Sequence, residues 1–331
     1  MAKRRLSLRQ ARRIAHRRAE LARDPAGGAT GRVVARYGPE ADVEPAPGAA
    51  PLRARIRATA GEVVVGDLVR YAPDGAGGAV ILAVLPRRTL LARPDASGRI
   101  RPLAANLDQL AVVFAPEPVP HQNLLDRYLV AAEHLGLAPL LVANKADLPD
   151  PAAAVAALVD LYREIGYPVV RVSARTGAGI AELETLLAGH TTAFVGQSGV
   201  GKSALVNRLC PTAGAAEGSL SEAGKGRHTT TTARLYHLPG GGELVDSPGI
   251  REFSLWHLPA ADVAAGFREF RPWLGRCRFR DCRHEEEPGC ALAAACARGE
   301  IRPERLTSYH AIVGEAQSIE ARGGAPWNPD I

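Results

Sequence analysis

No apolar run in this chain approaches the ~18 residues that a membrane-spanning helix requires, and the basic N-terminus is not followed by the apolar stretch of a secretory leader. The expectation is a soluble cytoplasmic protein with no membrane partner. Cysteine is scarce, five residues in 331, and the number is odd. With no export signal this argues against a disulfide framework. Four of the five lie between positions 277 and 296, which favours metal ligation. What is present, 34.9 kDa with 46% hydrophobic residues, suffices for two or three domains with cores of their own.

Positive charge is unevenly spread. Residues 1–23 carry nine Lys and Arg against Glu20, a net +8, and because the whole chain is +6 the remainder sums to −2. A concentrated basic arm attracts phosphate backbones through counterion release, which points to RNA or DNA as a partner. A solvated tail or an Arg-rich transit segment would have the same composition.

Pattern divides the chain into four regions. Residues 1–30 hold the basic arm and most of a Gly/Pro joint, "DPAGGATG" (24 to 31). In residues 31–105 five strand-like runs alternate with turn signals: "RVVARYG", "LRARIRA", "GEVVVGDLVRYA", "AVILAVLP" and "TLLARP". They predict a small β-barrel; an OB-like barrel would suit nucleic acid, and an SH3-like barrel fits the same string. Residues 106–255 alternate strand and helix: "LDQLAVVFA", then "QNLLDRYLVAAEHLG" ending at Gly136, "APLLVA", a helix over 151–165, "PVVRVS", "IAELETLLAG" and "TTAFVG". This predicts an α/β domain, a parallel sheet with helices on both faces and ligands at the carboxyl ends of the strands. Residues 256–331 form a mostly α region carrying a Cys/His cluster.

The loops at those strand ends carry the chemistry. "GQSGVGKS" (196 to 203) fits the phosphate-loop template GxxxxGK[ST], follows a strand and opens the helix "KSALVNRLC". The backbone N–H groups of Gly196, Gln197, Ser198, Gly199, Val200 and Gly201 can wrap phosphate oxygens. Lys202 can reach the β and γ phosphates, Ser203 can ligate Mg²⁺, and Ala204 follows in the first turn. "GELVDSPG" places Asp246 at a strand end as a Walker-B type acid for Mg²⁺, with the Gly249 N–H able to sense the γ-phosphate. In "NKAD" (144 to 147), the Asp147 carboxylate can accept guanine N1–H and the exocyclic N2–H, Lys145 can lie over base and ribose, and Asn144 can brace the loop. In "SAR", Ser173 precedes Ala174, whose N–H falls near guanine O6. Adenine lacks that donor pair and would leave a buried carboxylate unmatched. Alone, "NKAD" could also be a helix start capped by Asp147; with the phosphate loop, the set specifies GTP.

Their order is unusual. A GTPase commonly runs phosphate loop, switch threonine, DxxG, NKxD, SAx, whereas here NKAD (144) and SAR (173) precede GQSGVGKS (196), GRHTT (226) and DSPG (246). The order is circularly permuted, which a parallel sheet tolerates because domain termini often lie close together. The cut falls after DSPG, so the γ-phosphate-sensing segment runs straight into the C-terminal region.

Together with "DRYLVAAEHLG", "NKADL", "GQSGVGKSALVN", "GRHTTT" and the Cys/His cluster, these motifs resemble the RsgA (YjeQ) family of circularly permuted GTPases over about residues 31–310. The resemblance implies an OB-fold, a GTPase domain and a zinc domain, in that order. It also implies a role in late maturation of the small (30S) ribosomal subunit, with rRNA contacts and weak intrinsic hydrolysis that the subunit stimulates. The alternative function is a GTP-dependent RNA- or protein-binding module whose hydrolysis is incidental. A monomer is expected. The long arm and the insertion "PAPGAAP" (45 to 51) are less typical of the family.

Cys277, Cys282, His284 and Cys290, spaced Cx₄CxHx₅C, make a closed tetrahedral donor set for one structural Zn²⁺; ordinary buried thiols are the alternative. Cys210 and Cys296 are left over. The segment 218–238, polar and Gly-rich at its start, should be the switch. From the family pattern Thr230 binds Mg²⁺, with Thr229 second; the other reading is that these threonines begin the strand "TTARLYHL", as Thr232 does. After "DSPG" stands Ile250, not the glutamine that orients water in Ras-like enzymes, so another group must act. His228, beside the threonines, is the candidate, with Lys202 and Thr230 completing the catalytic set. A loop histidine that meets only solvent or RNA is the alternative.

Overall fold

The computed structural model describes residues 28–75, 78–94, 100–150, 153–211, 233–246, 258–285 and 287–321. Strands β1 (Ala29–Tyr37), β2 (Glu40–Glu44), β3 (Leu52–Ile56), β4 (Leu68–Pro73) and β5 (Ala79–Val84) run in the order β1-β2-β3-β5-β4, and β1 pairs again with β4. A five-stranded barrel is thereby closed, with β3 and β5 parallel and the other pairs antiparallel. Alternation builds its core: every second residue of Ala79–Val84 is buried, and Val33, Val43, Val69 and Ile81 fill the interior.

Two expected runs are placed differently. The polar stretch Glu40–Glu44 supplies a barrel strand that composition hides, because hairpin pairing with β1 carries it rather than hydrophobicity. "TLLARP" lies outside the barrel as β6 (Leu90–Pro94), paired with β7 (Ile100–Ala105) in a separate ribbon. Only the second half of "GEVVVGDLVRYA" is strand. Asp67 bends the first half, accepting the Val64 N–H at 2.8 Å and pairing with Arg87.

The remaining strands, β8 (Gln109–Phe114), β9 (Ala138–Ala143), β10 (Val169–Arg171), β11 (Thr191–Val195), β12 (Arg234–His237) and β13 (Glu243–Asp246), form a sheet ordered β10-β9-β8-β11-β13-β12. All are parallel except β12, antiparallel to β13. Every residue of β8 and β11 is buried, as expected of strands covered on both faces. Helices α1 (Gln122–His134) and α2 (Ala154–Ile165) pack one face, α3 (Ile180–Leu187) and α4 (Lys202–Leu209) the other. In α2, Val155, Leu158, Val159 and Tyr162 repeat at helical spacing on the buried side. α1 stops where the sequence predicts: Gly136 has φ 67°, and the Leu137 N–H closes back on the Ala132 carbonyl at 2.9 Å.

The barrel is joined to this sheet. β1 pairs with β12 at Ala35 and Arg234, Arg32 forms an ion pair with Glu243, and Val34, Val65 and Leu91 belong to the same buried cluster as Leu110 and Tyr128. The C-terminal region, with three 3-10 turns between Ala260 and Trp273 followed by α5 (Ala291–Ala297) and α6 (Pro303–Ala321), has its own core around Phe267, Phe270, Leu292 and Tyr309. No described helix is long and apolar enough to cross a membrane.

Candidate nucleotide site and metal cluster

Parallel register brings the sequence motifs to one end of the sheet. "NKAD" follows β9, "SAR" begins two residues beyond β10, the phosphate loop follows β11, and Asp246 closes β13. Asn144 ties three of these together. Its side-chain amide donates to the Val200 carbonyl at 2.9 Å and accepts the Ala174 N–H at 3.1 Å, so one buried residue fixes the phosphate loop against both base-side loops. Lys145, at φ 58° despite its side chain, donates its ammonium to the Glu117 carbonyl at 2.7 Å. Left-handed backbone in a bulky residue is costly, and such positions concentrate at functional sites.

The phosphate loop has no room for side chains at its turns. A Cβ on Gly196, at φ 135°, would sit 2.1 Å from the Val113 carbonyl oxygen, and one on Gly201, at φ 95°, would sit 2.4 Å from Asn144 Nδ2. The loop therefore presents bare backbone, the surface that polyphosphate requires. Gly196 and Val200 are buried, Ser198, Gly199, Ser203 and Ala204 are exposed, and Gln197 is intermediate. Lys202, 7% exposed, donates to the carbonyls of Gly196 at 2.6 Å and Gln197 at 2.7 Å, which holds its ammonium inside the loop.

On the base side the Asp147 carboxylate accepts the Ser173 hydroxyl and the Arg175 guanidinium. The Ser173 hydroxyl holds the Asp147 carboxyl below the usual carboxylate range; desolvation works against this, and Arg175 works with it. Tyr128 of α1 also reaches the site. Burial pushes its hydroxyl up to about 12, tempered by a hydrogen bond with the Gly196 backbone.

At the other end of the chain the ligand atoms of Cys277, Cys282, His284 and Cys290 all lie within 4.8 Å of one another. The three sulfurs stand 3.4, 3.7 and 3.5 Å from His284 Nδ1. A tetrahedron with Zn–S and Zn–N bonds of ordinary length has sulfur–nitrogen edges of about 3.6 Å, so the donor set fits one zinc ion. Backbone N–H groups point at sulfur, Ala291 to Cys277 at 3.3 Å and Ala293 to Cys290 at 3.5 Å, as suits thiolates. Burial lowers the His284 pKa, favouring the neutral imidazole that ligation requires, and burial with the neighbouring thiols pushes the Cys282 thiol up to about 12. A divalent cation among these groups reverses the thiol shift. The backbone around them is held by His310, which donates to the His284 carbonyl at 2.6 Å, and by Glu287, which accepts the N–H groups of Arg283 and Glu285.

The profile of the family described as RsgA GTPase matches residues 84–256. A protein of Azotobacter vinelandii named small ribosomal subunit biogenesis GTPase RsgA is 55% identical over 296 residues, 88% of this chain and 86% of its own. This chain belongs to the RsgA GTPase family. Its namesake in Pseudomonas aeruginosa strain LESB58 is 54% identical over 287 residues, 86% of this chain and 84% of that one. Among solved structures, YjeQ from Thermotoga maritima superposes with a TM-score of 0.72 at 33% identity, covering 87% of this chain and 98% of that one. YloQ, a circularly permuted GTPase, gives 0.68 at 27% identity, covering 88% and 95%. GTP hydrolysis is thus the reaction of this chain, and the permuted motif order is the family's architecture.

The structure gathers Asn144, Lys145, Asp147, Ser173, Ala174, residues 196–204 and Asp246 at one sheet end. His228, Thr229, Thr230, Thr232 and Gly249 lie outside the described residues, as do the basic arm and the start of the switch. Three participants had no role in the sequence reading: Tyr128, the Glu117 carbonyl and the side chain of Arg175. Arg175 had a signal, its place directly after the Ser-Ala pair. A carbonyl in the loop after β8 leaves none.

Proposed function

We propose that this chain is a GTP-hydrolysing switch acting in late maturation of the small ribosomal subunit, where it binds rRNA and is stimulated by the subunit. The observation that carries the reading is the Asn144 brace, which locks base-side and phosphate-side loops into one site. The names of the relatives supply the ribosomal setting. In this reading Asp147 and the Ala174 N–H take guanine, the backbone of residues 196–201 with Lys202 takes the phosphates, and Gly249 senses the γ-phosphate. Ser203, Asp246 and Thr230 would hold Mg²⁺, whose chemistry is to neutralise charge on the phosphate oxygens. His228 orients the attacking water, because Ile250 offers no polar group. The zinc ion is structural, the arm of residues 1–23 adds phosphate-backbone affinity, and the protein works as a cytoplasmic monomer. The domain limits are 1–30, 31–105, 106–255 and 256–331.

The test is GTP turnover with and without purified small subunits, for wild type and His228→Ala. Stimulation in the wild type, with a loss of about 10- to 1000-fold of the stimulated rate in the variant at unchanged GTP affinity, is expected. Turnover indifferent to the subunit would overturn the switch reading. Full stimulated turnover in the variant would remove His228 from catalysis.

A further inference from the structure

The carboxylate that reads the base is already engaged on both oxygens. Asp147 Oδ1 accepts the Ser173 hydroxyl, while Oδ2 accepts Arg175 Nε at 2.8 Å and a terminal guanidinium nitrogen at 2.7 Å. A carboxylate oxygen has about two acceptor positions. Oδ1 takes the Ser173 hydroxyl, the Asp147 N–H adds a lesser bond to the carboxylate, and Oδ2 is filled by the two guanidinium nitrogens. Guanine brings two donors, N1–H and the N2 amine, and needs one position on each oxygen. Ser173 can stay; Arg175 cannot.

Exposure decides which partner gives way. The Arg175 side chain is 75% exposed and the Asp147 side chain 12%, so the guanidinium can move into water while the carboxylate stays fixed. Ser173 is anchored further by accepting the Thr176 N–H at 3.1 Å. We propose that Arg175 is a displaceable lock on Asp147, competing with guanine for the carboxylate and swinging out to admit the base. The proposal rests on the reading of Asp147 as the guanine-binding residue. Its consequence is a specificity effect. Hypoxanthine lacks the exocyclic amine and needs one acceptor, which Oδ1 offers with the lock in place. The lock therefore weakens guanine nucleotides and spares hypoxanthine nucleotides.

The size of the effect follows from the exposure of the pair. An ion pair this open to water contributes a factor of about 1.5 to 5 in a competing equilibrium, and screening by salt reduces it. The experiment is a calorimetric titration of the full-length protein with GDP and with IDP, at low and high salt. Arg175→Ala should bind GDP about 1.5- to 5-fold more tightly than wild type with IDP unchanged, and the gain should shrink as salt rises. Equal gains for both nucleotides, no gain for either, or weaker GDP binding each overturns the lock. Asp147→Asn is titrated alongside. If that variant keeps wild-type GDP affinity, the assignment of Asp147 fails, and the lock with it. If it loses GDP while Arg175→Ala changes nothing, the lock alone fails.

Discussion

Arg305, in the first turn of α6, is fully buried against Asp126 of α1, 179 residues earlier in the chain. Its guanidinium also forks onto Glu269 at 2.6 and 3.3 Å, lies over the rings of Tyr162 and Phe267, and shares Asp126 with the Tyr162 hydroxyl. The C-terminal region is thus fastened to the GTPase sheet through a charge that two carboxylates keep protonated. Breaking one partner of such a network strands the others in a dry interior. Arg305→Met should lower the free energy of unfolding by about 3–5 kcal/mol, and adding Asp126→Asn should recover part of the loss. Arg305→Lys should not rescue it, since an ammonium cannot serve both acids as a planar fork does. Chemical denaturation measures all three; a cost below about 1 kcal/mol for Arg305→Met would show the network to be dispensable.

Elemental analysis should find one zinc per chain. Cys282→Ser should abolish it, and limited proteolysis should then cut readily between residues 275 and 290, a stretch with neither helix nor strand. Metal-free protein that resists both chelator and protease would sink the zinc assignment. GDP binding should survive zinc loss, because no ligand of the cluster belongs to the nucleotide site.

Asp147→Asn replaces one acceptor of the carboxylate proposed to read the base with a donor. GDP affinity should fall by roughly 10- to 100-fold, the worth of a hydrogen bond to a charged group, and XDP should gain, since its C2 carbonyl can accept from the new amide. Isothermal titration with both nucleotides checks this, and unchanged GDP affinity would remove Asp147 from base reading.

The low pKa of Asp147 carries a pH dependence with a definite sign. A depressed pKa keeps the carboxylate charged further into acid, so GDP affinity should hold as pH falls through the ordinary Asp range near ~3.9 and weaken only below it. Ser173 is the largest cause of the depression, so in Ser173→Ala the weakening should begin at higher pH. Coincident pH profiles for the two proteins would show that the hydroxyl does not hold the charge.

The nucleotide motifs were legible because each is short and local: a loop that must present bare backbone is spelled in glycine, and a strand buried on both faces in apolar residues. The Cys/His cluster was legible because ligand chemistry permits few residue types. Glu40–Glu44 was hidden, since its strand comes from pairing with β1 rather than from its own preference. Arg305 was equally hidden; a lone arginine in a helix of mixed polarity reads as surface, and only the fold brings Asp126 and Glu269 to it. Arg175 stood in plain view within "SAR", yet its target lies 28 residues away, beyond the end of the neighbouring strand.

The single bridge between β1 and β12 bears on how this protein can be dissected. A fragment beginning at residue 106 would retain every nucleotide motif, yet β12 would become an open edge strand, and Leu110 and Tyr128 would lose Val34, Val65 and Leu91 from their shared core. Bare edges and uncovered apolar surface drive self-association. Such a fragment is expected to be sticky rather than merely smaller, and aggregation would be mistaken for a loss of GTP binding. The barrel serves the GTPase sheet as a lid over its last strand.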